Sequence, residues 1–156
     1  MYFGVELDIE KMTANGVTLG GGPPTSSDTV ADLQVAHDGN TYTVEEKSAS
    51  AGQNMIVDFT GVVDFDWVQV IAYYDGQTSH QLQVQLEVSP FDDSTWHAYQ
   101  CINPDHDYMS DYSFFVPDGS VYINSGVVKV RFLHGESGNS SDDWFLDVVA
   151  LYKKCK

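Results

Sequence analysis

The side chains best placed to move protons near neutral pH are five histidines: His37, His80, His97, His106 and His134. They are spread along the whole 156-residue chain, and none belongs to a nucleophile motif. No Gly-x-Ser-x-Gly and no His-Glu-x-x-His string is present. Two pairs of neighbouring acids, Asp92-Asp93 and Asp142-Asp143, could serve acid–base chemistry only in unlike environments facing one pocket. Both pairs fall in predicted turns, where short acidic side chains bond the local backbone. Cys101 and Cys155 have no metal-binding or redox spacing, and whether they pair in a disulfide stays open. The pattern reads as a non-enzymatic protein.

Two further groups of residues could bind something. Asp105, Asp107 and Asp111 make an oxygen-rich loop, the kind of donor set a hard cation wants, but without the glycine and closing glutamate of an EF-hand. Asp147 stands in an otherwise apolar strand, where a carboxylate needs either a cation or hydrogen-bond donors. A structural calcium and a carboxylate bonded to backbone amides are the two readings, and no other cofactor is expected. Trp96, Tyr99, Tyr108 and Tyr112 cluster in sequence around the acidic loop. Exposed rings beside polar groups would suit sugar contacts, whereas packing into the core is the alternative. Trp67 and Trp144 lie in the most apolar stretches and are assigned to the core.

Charge narrows the partners. Seven basic residues against 23 acidic ones leave a formal charge of −16. Such a field repels phosphate, so neither nucleic acid nor an anionic membrane surface is an expected partner. The start, Met1-Tyr2-Phe3-Gly4-Val5-Glu6-Leu7-Asp8, has no basic region and reads as no secretory signal. Synthesis and retention in a cytoplasm are expected, and no apolar run reaches membrane-span length.

The elements that must position these residues are strands. Leu82, Val84, Leu86 and Val88 alternate with Gln81, Gln83, Gln85 and Glu87, a period of two that would scatter apolar groups around a helix. Met55, Val57 and Phe59 repeat it, as do Val128, Val130 and Phe132 against Lys129 and Arg131. Ala31, Leu33 and Val35 suggest another strand, with shorter ones at 113–116 and 121–123. The runs Val63–Tyr74 and Trp144–Tyr152 are apolar on both faces and belong inside a sheet. No amphipathic helix is legible. Antiparallel strands at this spacing, without helical crossovers, predict an all-β sandwich of jelly-roll type over residues 29–156. Residues 1–28 read as an N-terminal arm (Phe3, Val5, Leu7 and Ile9 on one side) and a Gly/Pro-rich tether through Gly20-Gly21-Gly22-Pro23-Pro24.

Several of these strings also carry a resemblance. Thr29-Val30-Ala31-Asp32-Leu33-Gln34 with His37-Asp38-Gly39-Asn40, and Phe65-Asp66-Trp67-Val68-Gln69-Val70, resemble β-domains of bacteriophage and prophage structural proteins. So do Val128-Lys129-Val130-Arg131-Phe132 and Leu146-Asp147-Val148-Val149-Ala150-Leu151-Tyr152, whose pattern is similar to galactose-binding-like jelly rolls. The resemblance implies a virion component: a capsid decoration or cement protein, or a fibre head. The arm residues Phe3, Val5, Leu7 and Ile9 would make its assembly contacts with capsid proteins, in a homo-oligomer such as a trimer. The alternative is a carbohydrate-binding module that recognises a glycan receptor.

Overall fold

Alternation of apolar and polar side chains forms the strands at 53–59 and 128–134 of the computed structural model, which describes residues 9–21, 26–92, 94–104 and 108–154. The strands are β1 (Ile9–Thr13), β2 (Gly16–Gly20), β3 (Tyr42–Glu45), β4 (Gln53–Phe59), β5 (Trp67–Asp75) and β6 (Leu82–Glu87). They continue with β7 (Trp96–Ile102), β8 (Ser110–Asp111), β9 (Phe114–Phe115), β10 (Val128–His134) and β11 (Asp143–Lys154). A five-stranded antiparallel sheet runs β2-β4-β10-β6-β7, and a six-stranded one runs β1-β11-β5-β8, with β3 on β11 and β9 on β5. The first and last strands pair, Met12 opposite Leu151, so a strand from the segment read as an arm lies in the sheet.

The two sheets meet through one interior. Met55, Val57 and Phe59 of β4, Val130 and Phe132 of β10, and Val84 and Leu86 of β6 are fully buried. They face Val68, Val70 and Tyr74 of β5 and Trp144, Leu146, Val149 and Leu151 of β11. Each such side chain contributes about 1.5–3 kcal/mol when removed from water. In β11 the register shifts between Leu146 and Val148, so Trp144 and Leu146 point inward before the shift and Val149 and Leu151 after it.

The structure departs from the sequence reading at four places. The alternating stretch at Ala31–Val35 is a 3-10 helix, Val30–Leu33, not a strand. Asp32 accepts from the Thr29 backbone N–H at 3.0 Å, a local bond that draws the chain out of extended form. Residues 121–123 likewise fall largely in a 3-10 turn, Gly119–Tyr122, with Asp118 accepting from Ser120 N. The segment before residue 29 is not only arm and tether: Val17 and Leu19 pack against the core while Gly16–Gly20 pairs with β4. Trp67 is 41% exposed and not a core residue, because it opens β5 on that strand's outward face. Trp144, by contrast, is fully buried.

Candidate functional site

A strand that buries one face must show the other, and on the five-stranded sheet the outward face sets charged and carboxamide side chains among Ile56, Leu133, Ala98 and Trp96. Three rungs cross it. The middle one reads Thr18–Ile56–Arg131–Gln85–Ala98 from β2 to β7. On one side lies Gly20–Asn54–Leu133–Gln83–Cys101. On the other, Gly16 pairs with Asp58, Asp58 with Lys129, and Glu87 with Trp96. That rung is closed by Lys129 Nζ, 3.8 Å from Glu87 Oε2.

On a flat solvated face these side chains would stand free. Here none of the outward residues of β4, β10 or β6 is exposed; Gln85 and Glu87 are buried outright and the rest are half-buried. They are fixed by one another. Arg131 Nε donates to Gln85 Oε1 at 2.7 Å, and Gln85 Nε2 donates on to Gln83 Oε1 at 3.0 Å. The Arg131 guanidinium lies over the Trp96 ring, 4.0 Å from its centroid, and Lys129 lies over Phe91. The edge positions are small: at Gly20 a Cβ would come within 3.1 Å of Asn54 Oδ1, and glycine leaves that carboxamide uncovered.

Two polar atoms on this face stay unsatisfied. Trp96 Nε1 and Asp58 Oδ1 are both buried and have no hydrogen-bond partner among the described residues. One is a donor only and the other, while ionised, an acceptor only. Burial holds the Asp58 carboxyl above the usual carboxylate range, with Lys129 pulling it partly back.

The four aromatic residues singled out from the sequence separate. Trp96 lies on this polar face. Tyr99 turns inward, stacked on Phe114 with its hydroxyl 2.5 Å from that of Tyr122. Tyr112 is half-buried against the core next to β8 of the other sheet, and Tyr108 is exposed. Of the arm residues, Phe3, Val5 and Leu7 lie outside the described residues, and Ile9 opens β1 opposite Lys154. Asp105 and Asp107 also lie outside them, as does Cys155, while Cys101 is half-buried on β7. Asp111 accepts from Ser113 N at 2.8 Å. Buried Asp147 accepts from the His37 backbone N–H at 2.8 Å, the amide-bonded form of the two readings. Among the described residues, no group of three His, Cys, Asp or Glu is arranged to hold a metal ion.

Sequence reading passed over Arg131, Lys129, Gln85 and Asp58, treating them as the solvent side of their strands. A signal was present: two of only seven basic residues alternate on one strand, across from an alternating Gln-Gln-Glu series.

Solved structures share this architecture. The chain has the β-sandwich fold of carbohydrate-binding modules. It superposes on the CBM22-1–GH10 part of endo-1,4-β-D-xylanase 10B from Clostridium thermocellum with a TM-score of 0.63 at 9% identity. That match covers 94% of this chain and 29% of the xylanase chain, so the chain spans under a third of that protein. The xylan-binding module CBM15 matches with a TM-score of 0.59 at 12% identity, over 96% of this chain and 99% of that one. CBM29_1 from Piromyces equi gives 0.56 at 9% identity, over 94% and 92%. No protein-family model matches the sequence, and no curated protein matches it.

Proposed function

We propose that this domain is a non-catalytic carbohydrate-binding module, and that the outer face of its five-stranded sheet holds a neutral polysaccharide chain. One observation carries the reading: the Trp96 ring under the Arg131 guanidinium and the Arg131–Gln85–Gln83 hydrogen-bond chain form one ordered surface with Asn54 and Asp58 on the same face. Gln83, Asn54 and the Arg131–Trp96 stack supply its polar and ring surface. Neutrality of the ligand follows from the formal charge of −16, which opposes uronate-rich or sulfated chains. The shared fold supports the class, since the xylanase was solved with xylohexaose and a family 11 module, TM-score 0.52 at 10% identity, with a mixed-linked tetrasaccharide.

Affinity electrophoresis of the folded protein tests this, using gels that contain xylan, mixed-linked β-glucan or a polyuronate. Retardation by a neutral polymer that weakens in Trp96→Ala and Asp58→Ala is expected. Unretarded migration in every gel would overturn the proposal. Membership of a virion is a separate proposal for the same module, carried by the sequence resemblance and tested by mass spectrometry of purified particles.

A further inference from the structure

The opposite face of the sandwich has a different character. β11, β5 and β9 are neighbours, and one rung across them reads Tyr152–Trp67–Phe115, with Lys11 of β1 beyond Tyr152. Alternation aims these side chains away from the core, as Val68, Phe114 and Leu151 next to them point in. The result is three aromatic rings in line on three adjacent strands. Phe115 is 54% exposed and Trp67 41%. Their ring centroids lie 6.2 Å apart at a 47° tilt, an arrangement that leaves ring surface open instead of closing it in a stack. The rings line a groove of about 470 Å³ together with Asp66, Gln69, Asp111, Ser113 and Lys154.

Tyr152 packs in part against Ile71, Val148 and Ala150, whereas Trp67 and Phe115 form an adjacent pair of exposed rings outside the core. Their surroundings do not suit a purely apolar partner. The Tyr152 hydroxyl donates to Gln69 Oε1 at 3.0 Å, which fixes the ring's angle. Ser113 Oγ accepts from Val70 N at 3.2 Å. Asp66 and Lys154 are held by the backbone bond from Lys154 N to Asp66 Oδ1 at 3.3 Å, so the rim carries both charge signs. Flat ring faces with hydrogen-bonding groups on each side match the two surfaces of a sugar, its C–H face and its hydroxyl edge.

We propose that this groove is a second carbohydrate site, independent of the first and on the opposite sheet, which takes a neutral chain lying across the strands along Tyr152, Trp67 and Phe115. The proposal rests on the carbohydrate reading of the domain. Two sites on opposite faces cannot share one short segment of chain, so the domain holds two chains and links them.

Isothermal titration of the full chain with xylohexaose and with a mixed-linked β-1,3-1,4-glucan tetrasaccharide tests it, beside Trp67→Ala/Phe115→Ala and Trp96→Ala variants. The first pair of substitutions removes exposed rings, and thermal unfolding checks that the variants remain folded. Two ligands per wild-type chain, falling to one in the Trp67/Phe115 variant, is the expected result. Wild-type protein should also cross-link soluble xylan into a turbid suspension, and that variant should not. One ligand per wild-type chain, lost in Trp96→Ala and unchanged in the Trp67/Phe115 variant, would overturn the second site and leave the first standing. One ligand lost only in the Trp67/Phe115 variant would uphold this groove and overturn the first site. No binding of either sugar by folded protein would overturn both.

Discussion

His134 Nε2 lies 3.3 Å from Glu46 Oε1, and neither side chain reaches solvent. The Glu46 carboxylate also accepts from the Tyr74 hydroxyl at 2.8 Å, Trp144 Nε1 at 2.9 Å and the Asn139 backbone N–H at 3.0 Å. Tyr74 and Trp144 belong to the six-stranded sheet and His134 to the five-stranded one, so a single carboxylate ties the two layers and the 135–142 loop. Removing it strands several buried donors. Glu46→Ala is expected to cost about 3–5 kcal/mol of unfolding free energy, by the cost of breaking one side of a buried polar pair. Glu46→Gln keeps the shape and part of the bonding and should lose less. Urea denaturation followed by tryptophan fluorescence measures both.

Asp58 gives binding a pH dependence with a defined sign. Its folded-state pKa is raised by burial, so the carboxylate takes up a proton at higher pH than an ordinary one. A sugar hydroxyl that donates to this half-buried carboxylate is held most strongly by the ionised form. Affinity should therefore fall as pH drops through the raised pKa, starting above the ordinary carboxylate range. In Asp58→Asn this acid limb should flatten. Folding stability carries the opposite sign from this group, because a raised carboxyl pKa favours the folded state as pH falls toward the unfolded value. Titrations at a series of pH values, with wild-type and variant compared, check the limb.

Arg131 positions the rim of the polar face without needing to touch a ligand. Its planar guanidinium covers Trp96 while Nε holds Gln85, and a lysine cannot do both. Arg131→Lys should leave the fold intact and weaken glycan binding by roughly tenfold, the equivalent of about 1.4 kcal/mol. Equal affinity in the two proteins would show that the stack has no part in recognition.

Most of the scaffold was legible because period-two alternation is a local signal. Leu82, Val84 and Leu86 announce β6 within six residues, and the two-sided apolar run at Trp144–Tyr152 announces a strand covered on both faces. Alternation misled at Ala31–Val35, where the Thr29–Asp32 bond turns the same pattern into a 3-10 helix. Trp67 was misplaced for a related reason: an apolar neighbourhood says a strand is central, but not which way its first residue points. The polar face is a product of pairing. Trp96, Arg131 and Asp58 sit on three different strands, and only the sheet order β4-β10-β6-β7 brings them together. Trp96 could be picked out from its own neighbourhood, whereas its companions could not.

The three tryptophans offer three separate reporters. Trp96 Nε1 is the unpartnered donor, Trp67 stands on the opposite sheet, and Trp144 Nε1 already donates to Glu46 and is sealed in the core. Two-dimensional NMR of the indole N–H signals, recorded while xylohexaose or mixed-linked tetrasaccharide is added, therefore reads the polar face directly. The Trp96 signal should shift in a saturable way, with slower exchange against water, while the Trp144 signal stays in place. A Trp96 indole that keeps its position and exchange rate at sugar concentrations that saturate the protein would contradict the assignment of that face to carbohydrate.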